Sequence, residues 1–148
     1  MPPSPSRIGW LLPLLPLLPL LLTACEDRVG PCNDLVGQLN PHTEAMIAGV
    51  EGLARIESDP GHLDTLNAAI EAADRELATL PLPDPQLAGF VLRYRKQLED
   101  ARGAEAAMRS ALAAKNVQGL HAAAKKADAF LDAQATTVEA LNAYCSGG

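Results

Sequence analysis

The sequence predicts an all-α fold, an up-down-up-down four-helix bundle, over residues 33–148. Two observations predict it. Aromatic residues make up only 3% of the chain while alanine crowds its second half, as in Ala122-Ala123-Ala124. Alanine favours helix, and few aromatic or β-branched residues leave little to build a sheet. Four segments also carry apolar residues at alternating spacings of three and four, the mark of a helix that buries one stripe. A chain of 148 residues has room for one such domain.

Helix one is expected over Asp34–Glu57, with Leu35, Leu39, His42, Met46, Gly49, Leu53 and Ile56 on one seam. Pro41 interrupts it, and Asn40-Pro41 could instead cap and open a fresh helix. The stripe keeps its phase through the proline, which favours a single kinked helix. Ser58-Asp59-Pro60-Gly61 makes a turn, and Asp59-Pro60 opens helix two, whose seam is Leu63, Leu66, Ile70, Ala73, Leu77 and Leu80. Pro81, Pro83 and Pro85 end it, and Asp84 caps helix three, with Leu87, Val91, Tyr94, Leu98, Ala101, Met108 and Leu112 along a stripe broken only by Glu105. Opposite charges four apart (Arg95 with Glu99, Lys96 with Asp100, Glu105 with Arg109) mark its solvated face. Asn116 caps helix four, with Val117, Leu120, Ala124, Ala127, Leu131, Val138, Leu141 and Cys145 on its seam and Gln134 interrupting it. Helices three and four read as longer than one and two, so their far ends are expected to project.

Residues 1–24 form a different kind of segment. A proline-rich start with Arg7 leads into an apolar run from Ile8 to Leu22, then Thr23-Ala24-Cys25. A positive start, an apolar middle and small residues before a cut make an export signal. The run of 15 residues is short of the roughly 20 that span a bilayer, and Pro13, Pro16 and Pro19 disturb a spanning helix further. Leu22-Thr23-Ala24-Cys25 resembles the lipobox of bacterial lipoproteins. The resemblance covers the leader and the first mature residue; no family is recognised for the rest. It implies diacylglycerol on the Cys25 sulfur, cleavage between Ala24 and Cys25, and in many such proteins acylation of the new amino group. Two or more acyl chains hold a protein firmly on a membrane, where one is marginal. Glu26 stands where an aspartate often resembles an inner-membrane retention signal, which favours the periplasmic face of the outer membrane in a cell with two membranes. Residues 25–32 then form a short tether.

With Cys25 taken by lipid, Cys32 and Cys145 remain, and an even number outside the cytoplasm predicts a disulfide. A bridge between the two ends of the domain requires an even number of antiparallel helices, and four satisfy it.

Charge and motifs narrow the function. The whole chain has 12 basic and 18 acidic residues, and since Arg7 is the only charge before Cys25, the mature part carries 11 against 18, a net −7. Phosphate binding needs a basic surface, so nucleic acid is not an expected partner. Adhesion to anionic lipid by charge is likewise disfavoured. No glycine loop cradles phosphate and no serine sits in a nucleophile elbow. Gln118 and Asp59 stand three residues before His121 and His62 where a two-metal bundle carries glutamate. His42 reads as a core histidine or one capping the kink, His62 as exposed, and His121 as facing the end of helix one. Met46 and Met108 read as core filler rather than haem ligands. Arg93-Tyr94-Arg95-Lys96 reads as a solvated face whose neighbours neutralise it. The expectation is no catalytic residue, no metal and no cofactor beyond the lipid. The function expected is a non-catalytic envelope lipoprotein that offers a helical surface to another envelope protein. A small-ligand or haem carrier, and an abundant structural lipoprotein, are the alternatives.

Overall fold

The computed structural model describes residues 23–147, with side chains from residue 28 onward. Four helices follow one another, α1 (Thr23–Gly52), α2 (Gly61–Ala78), α3 (Pro85–Ala113) and α4 (Val117–Cys145), with a 3-10 turn at Leu53–Arg55 and no strand among the described residues. α1 packs on α2, α2 on α3, α3 on α4, and α4 returns to α1, which closes the predicted up-down-up-down bundle. Its core is continuous, and Met46, Ile70, Leu87, Leu98 and Met108 are wholly inaccessible to solvent.

α1 is one helix through Pro41. A proline removes the hydrogen bond to the carbonyl four residues back, here that of Gly37. Both Gly37 and Pro41 face solvent, where a freed carbonyl costs least, while Leu35, Leu39 and Met46 stay on the buried side. The helix also runs back to Thr23, so the expected tether 25–32 is helical and continuous with α1. At its other end α1 stops at Gly52 rather than Glu57, and the tighter 3-10 turn carries Leu53 and Ile56 into the core. Two glycines let α2 come close there. A Cβ at Gly49 would sit 3.2 Å from the Leu66 Cα, and one at Gly52 would meet the His62 ring at 2.6 Å.

α2 begins at Gly61, whose N–H donates to Asp59 Oδ1 at 3.1 Å, and ends before the prolines. Leu80, expected on its seam, lies beyond the helix and is half-buried in the α2–α3 loop. Asp84 caps α3 as predicted, accepting from the N–H groups of Gln86 at 2.7 Å and Leu87 at 3.4 Å. Its other oxygen accepts from the Tyr144 hydroxyl at 2.7 Å, which ties the start of α3 to the end of α4.

Tyr144 first, and then the capping N–H groups and Arg28, hold the Asp84 carboxyl below its ordinary 3.8, and the same bond holds the Tyr144 phenol above 10.0. A carboxyl with a depressed folded-state value stabilises the fold above its unfolded value near 3.8 and loses that contribution as pH falls through the folded value. An Asp84→Asn variant should therefore melt below the parent at neutral pH, with the gap narrowing below pH 3.8. Thermal melts from pH 7 to pH 2 check this, and a gap that stays constant down to pH 2 refutes it.

α3 closes in a paired motif: the N–H of Asn116 donates to Ala111 O at 2.8 Å and that of Lys115 to Leu112 O at 3.0 Å. Lys115 occupies the left-handed position, φ 51°, where glycine is usual. Asn116 then caps α4 as predicted, accepting from the N–H of Gly119 at 2.9 Å.

The buried line of α4 is Leu120, Ala123, Ala127, Phe130, Gln134, Thr137 and Leu141. That is rotated by about one residue from the expected seam: Ala124, Leu131 and Val138 are half-buried and Val117 is 55% exposed. α4 packs most extensively on α3, which turns this line inward and leaves 124 and 131 toward α1. Gln134 does not interrupt the core; it donates to the Tyr94 hydroxyl within it.

Two further expectations are corrected. α1 has 30 residues against 29 each in α3 and α4, so only α2, with 18, is short. Glu57, just past the 3-10 turn, shares a pocket with Lys115 and Asn116 of the α3–α4 connection, so those helix ends do not project alone. Arg95 pairs across to Asp74 of α2 at 2.7 Å rather than along its own helix, because the neighbouring helix brings that carboxylate closer. Lys96 takes both Glu99 and Asp100, and Arg109 binds Glu105, which is buried, as well as Asp64.

Candidate functional site

The two ends of the bundle differ in chemistry. At one, Cys32 and Cys145 stand at disulfide distance, with sulfurs 2.13 Å and Cα atoms 5.7 Å apart, joining the start of the bundle to its end. Around this pair the Arg28 guanidinium lies 4.6 Å over the Tyr144 ring and donates to the Tyr144 carbonyl at 3.3 Å, while Phe90 packs beside Tyr144 at 5.9 Å. Arg28, Tyr144 and Asp84 thus knit α1, α4 and the α2–α3 loop together. Spacing did not single out this cluster, because the three residues lie far apart in sequence.

Residues 1–22 of the expected leader lie outside the described residues. Ala24 and Cys25, the expected cleavage and lipidation positions, fall in the first turn of α1, and their side chains are also outside the described residues. The helical stretch from Cys25 to Cys32 rises about 10 Å, less than half the reach of an extended tether.

At the opposite end, α1 and its 3-10 turn stand away from the first half of α4 and leave a cleft of about 710 Å³. Its apolar lining comes from Val50, Leu53, Ile56, Leu120, Ala124 and Leu131, and its charged lining from Glu51, Arg55, Glu57, His121 and Asp128. Among the described residues, none of those three carboxylates has a cationic partner within 4.0 Å. Sequence spacing missed the cleft. Its signal was the pair Ala124 and Leu131, which read as fully buried seam and instead lie half-open on its wall.

The histidines do not converge. His42 Nε2 lies 2.9 Å from Glu76 Oε2. His62, expected to be exposed, is half-buried against Gly52, and His121 is exposed at the cleft, facing the end of α1 as expected. Among the described residues no three His, Cys, Asp or Glu side chains gather as a metal site. Met46 and Met108 are core residues. The basic run on α3 is committed elsewhere: Arg93 stacks 4.4 Å over Phe90, Arg95 pairs with Asp74, and Lys96 pairs with its own helix. Among the described residues no helix is long and apolar enough to cross a membrane.

No family model matches the chain, and neither does any curated protein or solved structure.

Proposed function

We propose that the chain is the precursor of a lipid-anchored, non-catalytic protein of the bacterial cell envelope, whose bundle offers a helical surface to a protein partner. The observation that carries this reading is the sequence of an apolar leader followed by Leu22-Thr23-Ala24-Cys25 in a chain with three cysteines. The pairing of Cys32 with Cys145 supports it, because it accounts for the other two cysteines of the sequence. In a cell with two membranes, Glu26 favours the periplasmic face of the outer one.

The arrangement of the bundle fits such a role. The anchor and the bridge lie at one end, so the domain stands with that end toward the bilayer. From Cys25 to Leu53 the chain climbs about 40 Å along α1, which carries the cleft well clear of the lipid headgroups.

A Cys25→Ser variant expressed in a bacterial host should lose incorporation of labelled fatty acid and move from the membrane to the soluble fraction, while the parent stays membrane-bound through a high-salt wash. Equal membrane retention of the two proteins would sink the lipid-anchor reading.

A further inference from the structure

We infer that the α1–α4 cleft receives a cationic amphipathic helix of about three turns from another protein, laid between the two helices as a fifth member of the bundle. This rests on the partner-binding reading above and names the surface and the chemistry of its occupant.

Shape, charge and position each bear on the occupant. The α4 wall runs from Leu120 to Leu131, a rise of about 16 Å, which matches three helical turns. An apolar trough between two helices accepts a third helix through apolar anchors at i, i+3 or i+4 and i+7. The charged lining sets the flanks of that helix. Glu51 and Glu57 on one side and Asp128 on the other make no ion pair within 4.0 Å among the described residues, and with Arg55, the one Lys or Arg in the lining, they leave it net negative. Lysine or arginine beside the anchors complements them, speeding encounter and rejecting acidic competitors. A second copy of this chain is a poor occupant, because it brings the same carboxylates and a net charge of −7 in its mature part. Position argues against lipid, since the cleft sits about 40 Å along α1 from Cys25.

The test uses the mature chain with its bridge intact. The probe is a 14-residue fluorescent helix of Leu, Ala and Lys with Leu at the anchor spacing, compared with its Glu-for-Lys counterpart. Anisotropy should show saturable binding of the Lys peptide that weakens at high salt, with at least tenfold weaker binding of the Glu peptide. Ala124→Trp, which fills the trough, should abolish binding, and the exposed pair Glu51→Lys and Asp128→Lys should weaken it tenfold or more with an unchanged melting temperature. Absence of binding, equal binding of both peptides, or binding unaffected by Ala124→Trp overturns the inference, as does a dimer that Ala124→Trp dissolves.

In intact cells, a photo-reactive phenylalanine analogue in place of Ala124 should capture a segment that mass spectrometry maps to a cationic amphipathic helix. Capture only from Leu92, on α3 and 66% exposed, overturns the cleft assignment and leaves the partner reading standing. Capture from neither position removes both.

Discussion

Replacing Cys32 and Cys145 together with serine should lower stability by about 4–5 kcal/mol, the chain-entropy value for a loop of this length. The bridge spans 113 positions, almost the whole folded domain, so its loss frees the unfolded chain from the tightest restraint it has. The folded state loses little by comparison, because the Arg28–Tyr144–Asp84 cluster still holds the ends of α1 and α4 and the start of α3 together. The melting temperature should fall by roughly 15 °C for a domain of this size. The same drop should follow reduction of the parent by a thiol, and the serine variant should not respond to thiol at all. A parent whose melting is indifferent to reductant would show that the bridge contributes no stability.

The second large effect lies in the polar layer of the core. Tyr94 is 1% exposed, and its hydroxyl accepts from the Gln134 amide of α4 and meets Thr43 Oγ1 of α1 at 3.3 Å. Burial holds the phenol above its ordinary 10.0 against the opposing pull of these two hydrogen bonds, so the group stays neutral throughout the working range. Tyr94→Phe removes the shared acceptor and leaves the Gln134 side chain, 2% exposed, with a buried donor unmet. An unmet buried polar group costs about 1–3 kcal/mol, and that is the loss expected in a urea titration. Changing Gln134→Leu in the same chain should restore most of it, because removing both partners leaves no donor stranded. The double-mutant cycle reads the coupling directly, and additive losses would mean that the two side chains do not act as a pair.

Much of this fold is legible in the sequence, for identifiable reasons. Asp84 and Asn116 stand before apolar-periodic runs with the right side chain for a cap, and both act as caps. The stripe of α1 keeps its phase across Pro41 because the proline falls on the solvent side, so the helix continues. What misled lies where tertiary packing chooses between neighbouring residues. α4 is so rich in alanine that two adjacent stripes are almost equally apolar, and only the pressure of α3 selects Ala123, Phe130 and Thr137 over Ala124, Leu131 and Val138. The cleft is hidden for the same reason, since two of those unselected residues, Ala124 and Leu131, stand on its wall. The stop of α1 at Gly52 coincides with the close approach of α2, where a Cβ at Gly52 would meet the His62 ring, a contact between helices that periodicity within α1 does not show. The candidate anchor, by contrast, is legible in residues 1–25 alone, through a local pattern that owes nothing to packing.

We propose that Cys25 carries lipid at the new amino terminus of a bridged domain. The most direct measurement is an intact mass of the protein extracted in mild detergent from its own cells, with and without reduction. The predicted spectrum begins at Cys25, carries the added mass of diacylglycerol with or without a further acyl chain, and rises by two hydrogens on reduction of Cys32–Cys145. A mature protein that begins at another residue, or one whose Cys25 bears no acyl mass, would rule out the lipid anchor.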